Sequence, residues 1–216
     1  MNSSTKKGRF VVIEGGEGVG KSTNMQFVQD YLHQQGVTFQ TSREPGGTEL
    51  AEQIRNLIVS HHRESMDPMT ELLLVFAARA QHLTQKIRPV INSGQWLVCD
   101  RFTDATYAYQ GGGRQLDKTV IRQLEQIVQA DLRPDCVIIL DAPVELGRQR
   151  ASQRAELDRL EAENLAFHQR VRDAYLERAA QYPDRYKVID AARPLADVQQ
   201  AIGCVLHQQL EHWHNE

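Results

Sequence analysis

With 216 residues, the chain is long enough to bury a substantial core and suits one domain, or one domain with an inserted lid. Its 41% hydrophobic and 25% charged residues form an ordinary globular balance. Because it has neither the apolar stretch of a signal peptide nor a run of membrane-spanning length, a membrane is not expected as a partner, and the net charge of −3 gives no general attraction for nucleic acid.

The first predicted strand, residues 10–13, leads into a glycine-rich loop. Residues 15–22 read GGEGVGKS and match the phosphate-loop pattern G-x-x-x-x-G-K-[ST] at every fixed position, and a helix over 22–35 is expected to follow. The backbone N–H groups of such a loop form a nest for oxygen anions, while Lys21 would reach the β- and γ-phosphates and Ser22 would bind Mg²⁺. A chance glycine-rich turn would need neither the Lys-Ser pair nor both flanking elements. The predicted ATP-binding residues are Gly15, Gly16, Glu17, Gly18, Val19, Gly20, Lys21, Ser22 and Thr23.

Strands and helices alternate along the rest of the chain. Apolar runs predict strands over 37–42, 95–100, 136–141 and 186–190. Helices are predicted over 48–59, 68–91, 117–129 and 194–212, the charged stretch 144–178 favours helix, and the three glycines at 111–113 indicate a loop. This alternation indicates an α/β fold with a five-stranded parallel sheet covered by helices on both faces. Ligands gather at the carboxyl ends of such strands, where the phosphate loop, Asp100 and Asp141 lie.

The cysteines bear on the cellular compartment. Cys99, Cys136 and Cys204 are widely spaced, and the first two lie in predicted strands. An odd, scattered set fits reduced core thiols better than a disulfide framework or a zinc site, so we expect a cytoplasmic protein.

The phosphate loop alone does not say what happens to the nucleotide. The chain lacks the N-K-x-D guanine motif of GTPases, and motor ATPases usually need a longer chain. A small phosphate-loop protein with additional arginines suggests transfer to a second bound nucleotide. Three clusters support this: residues 43–47 (REPGG) followed by Arg55, residues 72–79 (LLLVFAAR), and residues 100–102 (DRF) followed by Thr106, Tyr107, Tyr109 and Gln110.

In these clusters and in their order, the chain resembles the thymidylate kinase family, from the first strand to the last helix. The resemblance implies a single three-layer phosphate-loop kinase domain over residues 1–216, with an arginine-rich lid at about 148–161. It also implies transfer of the γ-phosphoryl group of ATP to dTMP for dTTP synthesis, Mg²⁺ as cofactor, and a homodimer. Residues 72–80 could form the contact between the two subunits or belong to the core. The bacterial form of the family carries an acid in the phosphate loop, here Glu17, and supplies arginines from the lid.

The resemblance assigns roles around the phosphates, each consistent with the chemistry of the residue. Glu17 would hold the 3′-hydroxyl of dTMP. Arg55 and Arg101 would clamp its phosphate, because the guanidinium fork matches phosphate oxygens. Asp100 would orient Mg²⁺, and Asp141 could share that role or cap a helix.

Base recognition would depend on Arg79. A guanidinium group only donates, so it favours O4 of thymine or uracil over the amino group of cytosine. The resemblance places Thr106 and Gln110 at the N3 edge of the pyrimidine and Tyr109 where it would exclude a ribose hydroxyl.

Phe76 could stack on the base, although many relatives carry this phenylalanine four residues before the arginine, where this chain has Val75. A core role for Phe76 is an equal alternative. The predicted dTMP-binding residues are Glu17, Glu44, Pro45, Arg55, Phe76, Arg79, Arg101, Thr106, Tyr109 and Gln110.

The lid reads RQRASQRAELDR over residues 148–159. Such a charge run is usually a solvated helix face. Because the phosphate loop lacks an arginine, another group must balance the charge on the transferring phosphoryl group, and we expect Arg150 and Arg154, then Arg159, to supply it, with Arg148 facing solvent. The predicted catalytic residues are Glu17, Lys21, Arg101, Arg150, Arg154 and Arg159.

Two other interpretations stay open. One is a kinase for a nucleoside or nucleotide with another base. The other is a regulatory protein that keeps the fold without the chemistry, although such a protein has no need of a complete set of lysine, acid and arginines.

Overall fold

The computed structural model describes residues 8–151 and 157–214, in which a parallel sheet occupies the centre. The strands are β1 (Phe10–Gly15), β2 (Phe39–Arg43), β3 (Trp96–Asp100), β4 (Cys136–Asp141) and β5 (Tyr186–Asp190). Their order in the sheet is β2-β3-β1-β4-β5, and every neighbouring pair is parallel. The predicted five-stranded parallel sheet is therefore confirmed.

Helices cover both faces of this sheet. They are α1 (Lys21–Gln34), α2 (Glu49–Val59), α3 (Pro68–His82), α4 (Arg88–Asn92), α5 (Thr103–Thr106), α6 (Lys118–Gln129), α7 (Val144–Ala151), α8 (Leu165–Gln181) and α9 (Leu195–His214). Several begin where the sequence supplies a cap: the side chains of Thr48, Asp67, Asp117 and Asn164 accept backbone N–H groups at the starts of α2, α3, α6 and α8.

The three layers follow from the alternation of side chains along the strands. In β1, Phe10 and Val12 pack on one face with buried residues of α3 and α8. Val11 and Ile13 pack on the other face with buried residues of α1 and α9. A strand that is apolar on both faces belongs in the middle of such a sheet. No helix of the described ranges, 8–151 and 157–214, is long and apolar enough to cross a membrane.

Three predictions about the elements need correction. The run over 68–91 contains a π-helical turn, Leu83–Ile87, between α3 and α4. The charged stretch 144–178 contains two helices, because α7 ends at Ala151 and α8 begins at Leu165. Cys204 is exposed on α9, whereas Cys99 and Cys136 are buried.

The prediction of a loop at residues 111–113 was wrong. These glycines end a π-helical segment, Tyr107–Gly113, that packs against α8. A Cβ atom on Gly112 would lie 2.7 Å from the Arg170 carbonyl oxygen, and one on Gly113 would lie 2.5 Å from the Phe167 ring. The glycines therefore allow a close approach between two helical segments rather than a change of direction.

Candidate active site

The phosphate loop lies between the carboxyl end of β1 and the start of α1. Gly20 immediately precedes α1 in the left-handed conformation, and its N-terminal position carries no side-chain cap, which leaves backbone N–H groups available to an anion. The Nζ atom of Lys21 donates to the carbonyl oxygens of Gly15 at 3.0 Å and Gly16 at 2.7 Å. The lysine therefore folds back over the loop that would hold a phosphate.

Helix α7 packs directly on this loop. A Cβ atom on Gly18 would lie 1.9 Å from the carbonyl oxygen of Gly147, and one on Gly147 would lie 2.4 Å from the carbonyl oxygen of Glu17. Two glycines facing each other bring the helix that leads into the predicted lid against the phosphate site. Arg148, the next residue of α7, lines a cavity with Gly16 and Glu17.

Glu17, Arg101 and Tyr109 form a compact polar cluster beside the loop. Arg101 forms an ion pair with Glu17 and donates to the Tyr109 hydroxyl at 2.8 Å, and that hydroxyl donates to Glu17 at 2.5 Å. Burial alone would raise the pKa of Glu17, but the charges of Arg101 and Lys21 together with the Tyr109 hydrogen bond lower it. Glu17 is therefore a carboxylate, an acceptor for a hydroxyl group.

Arg55 and Arg101 make this part of the site strongly cationic. Burial lowers the pKa of Arg55, and the positive charges of Arg43 and Arg101 lower it further. Arg55 donates to the carbonyl oxygen of Pro45 at 3.0 Å. The Nε atom of Arg101 is buried and has no hydrogen-bond partner among the described residues. Two guanidinium groups close enough to repel each other are stabilised by an anion bound between them.

A buried cavity adjoins this cationic cluster, and Arg79 lies in it almost fully buried. Its Nε atom donates to Glu44 at 2.7 Å, and its Nη2 atom donates to the Phe102 carbonyl oxygen at 3.1 Å and to Thr106 at 2.9 Å. Its Nη1 atom is buried without a partner among the described residues. The cavity is lined by Glu44, Pro45, Ile58, Val75, Arg79, Arg101, Phe102, Ala105, Thr106, Tyr109, Gln110 and Leu160.

Gln110 is held in one orientation in the same cavity. Its Nε2 atom donates to Glu71 at 2.8 Å, and Glu71 is a fully buried carboxylate that also pairs with Arg114 and Arg159. Because the amide nitrogen is engaged, the carbonyl oxygen of Gln110 stays available as an acceptor. The cavity thus presents a donor from Arg79 and an acceptor from Gln110, the complement of a pyrimidine with a carbonyl group at C4 and a proton on N3.

Ser22 and Asp100 fit a magnesium ion. Ile13 of β1 is paired in register with Asp100, and Ser22 and Asp100 line one cavity. The Oδ1 atom of Asp100 is buried and lacks a hydrogen-bond partner among the described residues. Within the described ranges no group of three or more His, Cys, Asp or Glu residues could hold a metal. Mg²⁺ is commonly held by one or two protein oxygens, substrate phosphates and water, which matches this sparse set.

Comparisons with known proteins match almost the whole chain. A model of the family described as thymidylate kinase matches residues 13–202. The chain belongs to the thymidylate kinase family. It is 52% identical over 206 residues to a thymidylate kinase of Alcanivorax borkumensis, covering 95% of this chain and 99% of that protein. It is 55% identical over 204 residues to one of Pseudomonas entomophila, covering 94% and 97%. The crystal structure of thymidylate kinase from Ehrlichia chaffeensis superposes with a TM-score of 0.75 at 31% identity, covering 93% of this chain and 99% of that one.

Twelve of the predicted residues line the three cavities: Gly16, Glu17, Val19, Ser22, Glu44, Pro45, Arg79, Asp100, Arg101, Thr106, Tyr109 and Gln110. Phe76 lies elsewhere. Phe76 packs in a core cluster with Leu72, Tyr107 and Ile121, and the Arg79 guanidinium lies over its ring at 4.9 Å. It is Val75 that lines the cavity. Of the two roles that the sequence leaves open for Phe76, the structure therefore favours the core role, in which the ring packs against the Arg79 guanidinium group.

The predicted lid arginines are distributed differently from the expectation. Arg150 donates to the Ala191 carbonyl oxygen, just after β5, at 3.0 Å. Arg159 donates to the Ile58 carbonyl oxygen at 2.8 Å and pairs with Glu71 at 2.7 Å. Arg154 lies outside the described residues. Arg148, expected to face solvent, is half-buried and lines the cavity beside the phosphate loop.

Asp141 is committed to an ion pair. Its two carboxylate oxygens accept from Arg172 at 2.7 and 2.9 Å. This bidentate pair occupies both oxygens and is a different role from the metal ligand or helix cap considered from the sequence.

Sequence reasoning missed Glu14, a fully buried acid at the end of β1. It accepts the backbone N–H groups of Phe102 at 2.7 Å and Ala105 at 3.3 Å, and the Tyr175 hydroxyl at 2.8 Å. Arg101, the residue before Phe102, has φ of +66°, which is uncommon for a residue with a side chain. Glu14 therefore helps to hold the turn that carries Arg101. The only sequence signal was its position between the strand and the phosphate loop.

Glu14 should make stability fall with rising pH. Burial and the negative charge of Asp104 raise its pKa from 4.5 to about 8. Between these values the folded state keeps a proton that the unfolded state has lost, so the free energy of unfolding decreases as pH rises through this window, and the contribution is complete only below the lower value. Glu14→Gln, which mimics the protonated acid, should remove this slope and be the more stable protein at pH 9 by about 1–3 kcal/mol. Urea unfolding at pH 6 and pH 9 measures both quantities.

The exposed Glu64 provides the control, because Glu64→Gln should leave the slope as it is. A slope that persists unchanged in Glu14→Gln would contradict the assignment of the titration to Glu14.

Proposed function

We propose that this chain transfers the γ-phosphoryl group of ATP to dTMP, giving dTDP and ADP. The observation that carries this proposal is the cavity beside the phosphate loop. It is lined by Arg79, whose Nη1 atom has no partner among the described residues, and by Gln110, whose amide nitrogen is held by Glu71. The cationic pair of Arg55 and Arg101 lies next to it. A thymine base has the acceptor at O4 and the proton on N3 that these two groups require, and its nucleotide carries the anion that the arginines require.

The remaining roles follow from the same geometry. Gly15 to Thr23 would bind the ATP phosphates, with Lys21 turning from the loop carbonyls to the β- and γ-phosphates. Ser22 and Asp100 would hold Mg²⁺, which when bound neutralises phosphate charge. Glu17 would accept the 3′-hydroxyl of dTMP, and Tyr109, fixed against Glu17, would crowd the neighbouring 2′ position.

Glu44 and Pro45 would complete the dTMP site, because both line the cavity that contains Arg79. The acceptor phosphate is already ionised, so the transfer needs no general base. Catalysis would depend on alignment of the two phosphates and on cations around them.

The lid arginines are proposed to act on closure. Arg148 already lines the cavity beside the phosphate loop. Arg150 and Arg159 are engaged by the Ala191 carbonyl and by Glu71, so a catalytic role for either requires these contacts to open when the lid, about residues 148–161, closes over ATP. Closure would exclude water, which would otherwise accept the phosphoryl group.

Arg79→Ala tests the assignment of the base. With a panel of dTMP, dUMP, dCMP and dGMP and detection of ADP, the unmodified enzyme should use dTMP best. Arg79→Ala should lower kcat/KM for dTMP by about 100-fold, because a buried charged donor to O4 is lost. It should also bring the kcat/KM values for dTMP and dCMP closer together. A folded variant in which the ratio of kcat/KM for dTMP to kcat/KM for dCMP equals that of the unmodified enzyme would refute the role of Arg79. A preference for another monophosphate would instead favour a kinase of a different base, and ATP binding without ADP formation would favour a regulatory protein.

We also propose a homodimer formed through the neighbouring helices α2, α3 and α6. Leu50 and Leu57 of α2, Met69 and Leu73 of α3, and Ile127 of α6 are exposed by 37 to 78%. Large apolar side chains gathered on adjacent helices mark an interface more often than an open surface. Sedimentation velocity would separate a 24.6 kDa monomer from a dimer. Three free cysteines and nucleotide substrates fit a cytoplasmic enzyme.

A further inference from the structure

A row of buried polar groups runs from β2 to Arg79 through a histidine that has no assigned role. The Ser42 hydroxyl lies 2.6 Å from Nε2 of His82, and Nδ1 of His82 lies 2.9 Å from Oε1 of Glu44. Oε2 of Glu44 accepts from Nε of Arg79 at 2.7 Å. His82 is fully buried, and Glu44 and Arg79 are almost so.

The direction of these hydrogen bonds follows from the charge of Glu44. Burial would raise the pKa of Glu44, but Arg79 and His82 together lower it, so the group is a carboxylate. A carboxylate only accepts, and Nδ1 of His82 must therefore carry the proton. Nε2 of the same ring shares a hydrogen bond of 2.6 Å with the Ser42 hydroxyl. The histidine is thus anchored at one end and donates at the other.

His82 fixes the orientation of the Glu44 carboxylate toward Arg79. It bonds to Oε1, and Arg79 is bonded through Oε2 alone. A carboxylate with both oxygens free tends to pair with a guanidinium through two parallel hydrogen bonds. Formed at Arg79, such a pair would use Nε together with Nη2. It would draw Nη2 away from its bonds to Phe102 and Thr106 and so turn the guanidinium group.

The loop of the REPGG cluster is shaped around this histidine. Gly47 has φ of +85°, and a Cβ atom there would lie 2.5 Å from Nε2 of His82 and 2.4 Å from the Ser42 hydroxyl oxygen. The second glycine of the cluster is therefore required both for its backbone conformation and for the space that the pair of His82 and Ser42 occupies.

We propose that His82 is a positioning residue for base recognition. By holding Glu44 it keeps Nη2 of Arg79 on Phe102 and Thr106, and so keeps the guanidinium group in the orientation in which Nη1 can donate to the carbonyl group at C4 of the pyrimidine. This inference rests on the proposed role of Arg79. It predicts that replacing His82 changes KM for dTMP and leaves KM for ATP nearly unchanged, although His82 is not among the residues that line the cavity.

The test compares three replacements of His82. His82→Ala should raise KM for dTMP about tenfold, with little change in KM for ATP. The ratio of kcat/KM for dTMP to kcat/KM for dCMP should decrease. His82→Asn places an N–H donor where Nδ1 stood and should recover most of the dTMP affinity. His82→Gln places its amide near the Nε2 position, facing Ser42 instead of Glu44, and should not recover it. Steady-state kinetics with both substrates and thermal unfolding of each variant provide the readouts.

Arg79→Ala distinguishes a failure of the His82 proposal from a failure of the proposed function. If Arg79→Ala leaves base discrimination intact, the role of Arg79 fails first. If Arg79→Ala loses discrimination while all three His82 variants keep KM for dTMP and the base ratio, the positioning role is overturned. Equal behaviour of the Asn and Gln variants, or parallel losses for ATP and dTMP with a lowered Tm, would also overturn it in favour of a purely structural histidine. Should the alanine variant not fold, the comparison of Asn with Gln decides.

Discussion

Replacing Lys21 with alanine should lower kcat by about 1,000-fold, equivalent to ~4 kcal/mol of transition-state stabilisation, while the protein stays folded. Lys21 is a half-buried cation whose ammonium group donates to the Gly15 and Gly16 carbonyl oxygens. We expect a side-chain rotation to bring the same group to the β- and γ-oxygens of a triphosphate held in the loop. Its charge matters most as the bridging oxygen takes up negative charge, so kcat should fall much more than affinity for dTMP.

Lys187→Ala is the matched control. Lys187 also donates to a backbone carbonyl oxygen, that of Pro183 at 3.2 Å, but it lies on β5 at the edge of the sheet. ADP production with saturating dTMP gives kcat, and thermal unfolding reports the fold. If the Lys21→Ala protein is folded and has the same kcat as the Lys187→Ala control, Lys21 does not take part in catalysis.

The sequence predicted the fold well because the signals that specify it are local. The three central strands, β1, β3 and β4, are short and rich in apolar residues, and glycine or an acid follows or ends each of them. Parallel pairing then brings the strand ends together, so the sequence alone predicts that the phosphate loop and Asp100 are neighbours, as the pairing of Ile13 with Asp100 shows. A motif confined to eight successive residues needs no knowledge of the tertiary fold.

Side-chain direction around a helix could not be predicted with the same certainty. Val75 and Phe76 lie four and three residues before Arg79, about 40° to one side of it and about 60° to the other. Both share a face with the arginine in a broad sense, and only the packing of α3 against its neighbours decides which one lines the cavity. The glycines at 111–113 were misinterpreted for a related reason, since the close approach of α8 is invisible in their local sequence.

Buried charged partners that are far apart in sequence were the least predictable part of the site. Glu71 forms ion pairs with Arg114 and Arg159. Glu14 accepts hydrogen bonds from the backbone N–H group of Phe102 and from the Tyr175 hydroxyl. A charged residue in a helix is by default on the surface, so nothing in the sequence marks Glu71 as buried. The same network explains why Arg159, expected near the phosphates, is held by a carboxylate instead.

Arg101→Ala should lower kcat/KM for dTMP by about 1,000-fold or more. The Nη2 atom of Arg101 bonds to Glu17 and Tyr109, and its Nε atom has no partner among the described residues. The guanidinium group can therefore hold an incoming phosphate without giving up its present bonds. Arg101→Lys should also lose at least tenfold, because an ammonium group keeps the charge but not the fork. Initial rates at varied dTMP concentration measure both effects.

Loss of binding must be distinguished from loss of structure, because Arg101→Ala also leaves the Glu17 carboxylate without its closest cation. Breaking a buried pair in this way costs about 3–5 kcal/mol, less here because Lys21 still contributes positive charge. Adding Glu17→Gln removes the orphaned charge, so the double variant should regain thermal stability relative to Arg101→Ala. It should not regain activity, since the phosphate still lacks its guanidinium group. If stability and kcat/KM returned together, Arg101 would be a structural counterion of Glu17, and the anion between the two arginines would have to be held by Arg55 alone.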